Sequence, residues 1–303
     1  MRILIVGLKR NPQFKRVREE GEKRGHIVDG CLATELVIYV TPETFEPTLR
    51  GKSLKDYDLI YIWAVGRRRW EWYTAANFLN RQVGTIIVNK KIVDPSYNFY
   101  LTPASDYLKQ RDNSLPFPKS AIVFDAKSVR VVIEQFEFPL IVKVSEGRQG
   151  RGVFKADSLE DLEKVIEENK EKSPSFVIRE FIPNDGDIRV FTVGFKAIGA
   201  MKRIPTKEGE FRSNISLGGR GEKIDLEKYP EIRKIAEKLS EVTAMEIAGV
   251  DIVLNRSTAK PYILEINPGP QFTGFEKYTG INAALEIINY FEKLHLQKNG
   301  GSD

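Results

Sequence analysis

Short apolar runs bounded by glycine, proline and polar turn formers recur along the chain and read as strands of covered sheets. Residues 2–8 form the first such run and end at Gly7. An amphipathic segment over Phe14–Arg24 follows, then a strand at Ile27–Cys31, an apolar run at Tyr57–Val65, a helix over Trp70–Asn80 and a strand at Val83–Asn89. Strands alternating with helices predict a small parallel α/β lobe over residues 1–92. It has no Gly-x-Gly-x-x-Gly opening, so no dinucleotide is assigned to it. The segment Pro95–Asn113 is rich in turn formers and holds the first boundary.

A second lobe, residues 93–182, carries strands at Ala121–Phe124, Leu140–Val144, Val153–Ala156 and Phe176–Phe181, with helices over Ser128–Phe136 and Leu159–Asn169. Ser158 before Glu160 and Asp161 is a clear helix start. The third lobe, residues 183–303, carries strands at Ile188–Phe195 and Ala197–Arg203, an open loop over 206–222 and a helix over Leu226–Val242. A hairpin of Ala248–Leu254 and Tyr262–Gly269 then precedes a final helix, Ala283–Leu296. The fold class is α/β joined to α+β.

Polar residues that interrupt these runs are the candidates for chemistry. Asp251 breaks the first strand of the hairpin, and Glu265 and Asn267 break the second. Glu265 and Asn267 lie two apart and therefore point to one face. Three oxygen donors on one face suit Mg²⁺, which keeps its other positions for water and phosphate oxygens. The plainer alternative is an acidic, wet face on an ordinary hairpin.

Lys143 sits inside the apolar strand Leu140–Val144, where a lone ammonium is expensive without an anion. The segment Glu146-Gly-Arg-Gln-Gly-Arg-Gly152 follows it, and its three glycines allow backbone N–H groups to cradle phosphate. Arg179-Glu-Phe-Ile-Pro183 ends a strand where backbone groups can read an adenine edge under apolar cover. Arg189, Arg203 and Arg212, with Asn214, supply donors of the kind that phosphoryl and acyl-phosphate oxygens require. Taken singly, each arginine reads as a solvated surface residue. In the first lobe, Arg67-Arg-Arg-Trp-Glu-Trp-Tyr73 is either a site for an acidic substrate or a loop whose tryptophans pack the lobe. His26, opening a strand, reads as structural.

With 47 Lys+Arg against 42 Asp+Glu, the net charge is +5. This suits an acidic ligand and is too small to imply nucleic acid. The single cysteine, Cys31, excludes an internal disulfide and fits a reducing compartment. No apolar run is long enough for a membrane span, and the opening strand is too short for a signal sequence. The expectation is a cytoplasmic protein.

The chain resembles the ATP-grasp carboxylate–amine ligases, and among them the RimK-like branch that adds glutamate to ribosomal protein or to coenzymes. The resemblance covers about 118–295 and rests on motifs in family order: Phe138-Pro-Leu-Ile-Val-Lys143, Glu146–Gly152, Arg179-Glu-Phe-Ile182, Asp187-Ile-Arg189, Lys207-Glu-Gly-Glu-Phe-Arg-Ser-Asn214, Ala248-Gly-Val-Asp251, Leu264-Glu-Ile-Asn-Pro268 and Gly274-Phe-Glu-Lys-Tyr-Thr-Gly280. It implies ATP gripped between two α+β lobes behind a Rossmann-like first lobe. By matching position, Lys143 would meet the nucleotide phosphates and the loop carrying Gly147, Gln149, Gly150 and Gly152 would close over them. Glu180, Phe181 and Ile182 would hold adenine, and Asp187 the ribose. Arg189, Arg203, Arg212 and Asn214 would bind phosphate or acyl phosphate. Asp251, Glu265 and Asn267 would hold Mg²⁺, with Mn²⁺ as an alternative.

The resemblance further implies an amino acid as amine, glutamate first, and an acidic acceptor such as a peptide end, a carrier protein or a coenzyme tail. Dimers and tetramers are common in such families. Two positions depart from the pattern. The upstream ATP lysine is missing, with Leu101-Thr-Pro-Ala-Ser105 in its region and Lys109 offset, and the loop Pro268-Gly-Pro-Gln-Phe-Thr-Gly274 differs from the branch's usual one. Two other readings stand beside the ligase: a kinase of the same fold acting on a hydroxyl, and an ATP-binding regulatory protein without turnover.

Overall fold

The computed structural model describes residues 1–8, 11–95, 104–144, 152–205 and 220–300. The first sheet is parallel, in the order β2–β1–β6–β7, with β1 at Arg2–Val6, β2 at Ile27–Cys31, β6 at Leu59–Ile62 and β7 at Ile86–Val88. Helix α1 (Pro12–Lys23) starts where the Asn11 side chain accepts the Gln13 N–H at 2.9 Å and Pro12 takes the first helical position. Helix α2 spans Arg69–Phe78.

Between β2 and β6 lies a sheet that periodicity does not predict: β3 (Leu36–Val40), β4 (Phe45–Leu49) and β5 (Lys52–Ser53), all antiparallel. The sequence signal fails because β4 contains Pro47, normally a mark against a strand. Here β5 pairs only with Thr48 and Leu49, so Pro47 lies on a stretch of β4 with one neighbour, where a missing N–H is tolerated.

A second, antiparallel sheet runs β10–β9–β11–β8, with β8 at Ser120–Val123, β9 at Leu140–Val144, β10 at Val153–Ala156 and β11 at Phe176–Glu180. Helices α4 (Ala126–Val132) and α5 (Leu159–Asn169) bury one face of it against Leu140, Val142, Val144, Phe176 and Ile178. Asp125 caps the Ser128 N–H at 2.7 Å, which starts α4 two residues before the position the apolar pattern predicts. Ser158 caps Asp161 as predicted.

The third sheet is the largest, β14–β13–β12–β15–β16, antiparallel throughout: β12 Asp187–Val193, β13 Lys196–Ile204, β14 Arg220–Ile224, β15 Ile247–Leu254 and β16 Pro261–Asn267. Helix α6 (Pro230–Thr243) covers one face through Ile232, Ile235, Ala236 and Leu239. It begins at Pro230 because a proline is favoured at a first position, and the predicted start at Leu226 is a separate 3₁₀ turn. Two further short helices are α3 (Ala104–Asp112), in the segment read as a connector, and α7 (Thr273–Thr279), where no element is predicted.

The last helix, α8 (Ala283–Gly300), does more than close the third sheet. Its Ile287, Ile288 and Phe291 share one buried cluster with Ile3, Ile5 and Val17 of the first sheet and α1, and with Phe191 and Val193 of β12. Residues at the two ends of the chain therefore build one core. Among the described residues, no helix is long and apolar enough to cross a membrane.

Candidate active site

The third sheet assembles the site by register. Asp187 lies opposite Arg203, Arg189 opposite Asp251, Asp251 opposite Glu265, and Gly249 opposite Asn267. Directly paired residues and residues two apart share a face, so all six polar side chains project from one side, away from α6. Arg189 holds Asp251 in a bidentate pair, Nε to Oδ1 at 2.7 Å and Nη2 to Oδ2 at 2.6 Å. Arg203 reaches Asp251 Oδ2 at 2.8 Å and clasps Asp187 through Nε at 3.1 and 3.0 Å and through Nη2. Burial pulls the Arg203 guanidinium down, but the charges of Asp251 and Asp187 outweigh it, so it stays firmly protonated.

Gly249 makes this packing fit. A Cβ there would come within 3.1 Å of Pro270 and 3.3 Å of the Arg189 Cδ, so glycine lets the arginine stem pass beneath the loop after β16 without either neighbour having to shift.

The second sheet contributes Lys143. Its Nζ crosses the cleft to Glu265 Oε2 at 3.1 Å. The lysine is 13% exposed and the glutamate 41%, which places the pair on the cleft floor with the carboxylate on the open side. The Lys143 charge holds the Glu265 carboxyl well below the usual carboxylate range, against the opposing effect of burial, with help from the Asn267 amide and Arg189.

Asn267 donates Nδ2 to both Glu265 Oε1 at 3.0 Å and Asp251 Oδ2 at 3.3 Å. The positive end of an amide dipole thus stands between the two carboxylates, where a cation would also be favoured. A half-turn of that amide would present its oxygen instead. Among the described residues, no group of three or more His, Cys, Asp or Glu side chains could hold a metal. Two carboxylates, one amide oxygen and oxygens supplied by water or substrate fit Mg²⁺ without such a group.

The other predicted residues are placed as follows. Gly152 is buried, and its carbonyl accepts the Val144 N–H at 2.9 Å, closing the loop between β9 and β10. Gly147, Gln149, Gly150, Arg212 and Asn214 lie outside the described residues. Glu180 uses its carboxylate to accept the Lys119 N–H at 2.7 Å, Phe181 lies beneath Lys155 Nζ at 5.8 Å, and Ile182 is buried beyond the end of β11. Asp187 is buried against Arg203. Lys109 stands 3.8 Å from Asp106 on its own helix. His26 is structural, with Nε2 2.8 Å from Glu292 Oε1.

The aromatic patch of the first lobe divides. Trp72 is buried and donates Nε1 to the Ala33 carbonyl at 2.9 Å, whereas Trp70 is exposed and so are Arg67 and Arg68. These arginines leave β6 just after Trp63, whose indole N–H donates to the Gly269 carbonyl at 3.0 Å.

Three residues near the site, Asn89, Trp63 and Tyr107, carry no sequence signal for it, and for Arg179 the motif that contains it names no partner. Asn89 donates Nδ2 to the Pro268 and Ile247 carbonyls at 2.7 and 2.8 Å, and accepts the Ile247 N–H at 2.9 Å. Trp63 packs against Gly269. Tyr107 and Arg179 meet at the cleft, with Arg179 Nη2 donating to the phenol at 2.7 Å and Nη1 to the Leu264 carbonyl at 2.9 Å. Each contact spans more than seventy residues of chain and is invisible to local pattern.

The chain is similar to known proteins in sequence and in fold. The family described as RimK-like ATP-grasp domain matches residues 105–291. A protein named "Probable alpha-L-glutamate ligase" from Trichodesmium erythraeum is 31% identical over 282 residues, 92% of this chain and 91% of that protein. "Probable alpha-L-glutamate ligase 1" from Hahella chejuensis is 32% identical over 306 aligned positions, 97% of this chain and 96% of its own. Among solved structures, the ATP-grasp ligase PsnB in complex with a minimal precursor is similar with a TM-score of 0.71 at 18% identity over 98% of both chains. The macrocyclase MdnC of Microcystis aeruginosa MRC, bound to its precursor peptide MdnA, gives 0.68 at 17% identity over 96% of this chain and 99% of that one. At such identities the structural likeness speaks for the fold, while the sequence matches, which span nearly the whole chain, establish the family. The chain belongs to the RimK-like ATP-grasp family of ATP-dependent ligases.

Proposed function

We propose that this enzyme uses ATP to join a carboxylate to the amine of an amino acid, with ADP and phosphate as the other products. The observation that carries this reading is the convergence of Lys143 from the second sheet with Glu265, Asn267, Asp251, Arg189 and Arg203 from one face of the third. In this reading residues 1–92, 93–182 and 183–303 act as three lobes, with the nucleotide between the second and third. Lys143 binds the polyphosphate. Asp251, Glu265 and Asn267 hold Mg²⁺, which when bound neutralises phosphate charge. Arg189 and Arg203 face the transferring phosphoryl group and then the acyl phosphate, two arginine forks fixed in place by Asp251 and Asp187 before substrate arrives.

The chain offers positioning and charge rather than a nucleophile, as phosphoryl transfer to a carboxylate requires. The amine attacks the acyl carbon, phosphate leaves, and the amine proton departs with the collapse of the adduct. Glutamate is the leading amino acid because the relatives quoted above carry that name. The acceptor is an acidic molecule, such as a peptide end, carrier protein or coenzyme tail, drawn toward Arg67 and Arg68. PsnB and MdnC were solved with precursor peptides, which favours the peptide end among these.

The test is product analysis after incubation with Mg²⁺-ATP, pooled amino acids and a panel of acidic acceptors. ADP and phosphate in equal amounts, dependent on both pools, are expected. ADP without phosphate would replace the ligase by a kinase, and bound ATP without turnover under every pairing would replace it by a nucleotide-binding regulator.

A further inference from the structure

We propose that Arg179, held by Tyr107, forms a second cationic subsite for the polyphosphate of the nucleotide, beside Lys143. This deepens the reading of the cleft as a nucleotide site and rests on it. The first observation is register. Lys143 on β9 lies opposite Val177 on β11, and Arg179 is two residues beyond Val177. Lys143 and Arg179 therefore project from the same face of the second sheet, the face opposite the one buried under α4 and α5.

The second observation is an imbalance of charge. Lys143, Arg189 and Arg203 each have a carboxylate partner in the cleft: Glu265, Asp251 and Asp187 respectively. Arg179 is 3% exposed, yet its guanidinium meets only neutral groups among the described residues, the Leu264 carbonyl and the Tyr107 phenol. Its Nε–H has no acceptor among those residues. A buried cation with an unfilled donor and no counter-charge is costly, and an incoming anion removes that cost.

The third observation concerns Tyr107 on α3, a helix within the segment where the usual upstream lysine is missing. The phenol oxygen accepts from Arg179 Nη2, and a second side-chain hydrogen bond ties it to Ser120, so the phenol is held from two sides. Burial raises the Tyr107 phenol, but the charges of Arg179 and Lys143 overcome this and bring it below its ordinary value. Both cations therefore act on the same oxygen. A planar guanidinium with an ammonium alongside matches the several oxygens of a polyphosphate better than a single carboxylate. Arg179 would touch the phosphate and Tyr107 would position it.

The experiment measures Mg²⁺-ATP, Mg²⁺-ADP and adenosine binding by calorimetry to the full chain and to Arg179→Gln, Arg179→Lys and Tyr107→Phe. Arg179→Gln is expected to weaken ATP and ADP roughly ten- to a hundredfold while adenosine stays within about twofold. Arg179→Lys should recover part of the loss, and Tyr107→Phe should show a smaller loss with the same selectivity for the phosphorylated ligands. Unchanged ATP affinity in Arg179→Gln would overturn the proposal, and so would an equal weakening of adenosine and ATP, which marks a merely structural role. Should Arg179→Gln not fold, Arg179→Lys decides, because a shorter side chain ending in a point charge lacks the planar fork that reaches the carbonyl, the phenol and a phosphate in different directions. Wild-type ATP affinity in that variant would then refute the subsite. Absence of Mg²⁺-ATP binding by the wild type would instead remove the nucleotide reading of the cleft, and this proposal with it.

Discussion

At the scale of single residues, the decisive feature is which charges are matched. Glu265 is the most open of the carboxylates paired here and the one met by Lys143, so in the proposed reading it is the acidic group that meets an incoming Mg²⁺. Glu265→Ala is expected to reduce ADP formation by at least about a hundredfold while the far-ultraviolet circular dichroism stays unchanged. Retained turnover would remove Glu265 from the metal set. A second carboxylate, Glu246, lies between lobes and accepts from the Asn89 N–H at 2.6 Å and the Tyr290 hydroxyl at 2.9 Å. Burial raises its carboxyl above the ordinary value of 4.5, more than those two hydrogen bonds lower it. A raised folded value means that its contribution to stability is full below 4.5 and falls away as pH rises through the folded value. Glu246→Gln should therefore gain in thermal midpoint relative to wild type as pH is raised from 4 towards 8. A constant difference across that range would contradict the assignment.

At the scale of elements, the loop after β16 is held from outside its own sheet, by residues that follow β6 and β7, as well as by packing on β12 and β15. Asn89, left-handed at φ 56°, clamps Pro268 and Ile247, and Trp63 holds Gly269. Asparagine tolerates that backbone conformation better than most residues and uses its amide to satisfy three buried backbone groups. Asn89→Ala should cost about 3 kcal/mol in urea unfolding, since buried partners are left unsatisfied. The same substitution should raise the KM for the acceptor more than that for ATP, because the loop it holds is anchored by Trp63, four residues before the Arg67–Arg69 patch proposed to draw the acceptor. The strands that carry the site were legible at this scale: Leu140–Val144 and Val153–Ala156 run as their apolar patterns predict. The small sheet of β3, β4 and β5 was not, because its pairing is set by neighbours and tolerates a proline that local pattern penalises.

At the scale of the whole molecule, the first and third sheets share a core through α8. Phe291 is fully buried, and its ring lies 5.6 Å from that of Tyr61 on β6. Phe291→Ala should cost about 3–5 kcal/mol and lower hydrogen-exchange protection in β1 and β12 together, since one cluster stabilises both. Loss of protection in only one of them would show that the two sheets open independently.

The sequence by itself determined the strand and helix types over most of the chain, the face shared by Glu265 and Asn267, and the family, through motifs spread from Phe138 to Gly280. These depend on spacing within a few residues, which a strand's period of two converts directly into a face. Only the tertiary structure decided which charges meet across the cleft: Lys143 with Glu265, Arg203 with both Asp187 and Asp251, and Arg179 with Tyr107 instead of a carboxylate. Those partners lie up to 122 residues apart, and nothing in the local pattern states which strand will face which. That choice belongs to tertiary packing: the first and third sheets share one core, while the second keeps its own and meets the third through Lys143 and Glu265.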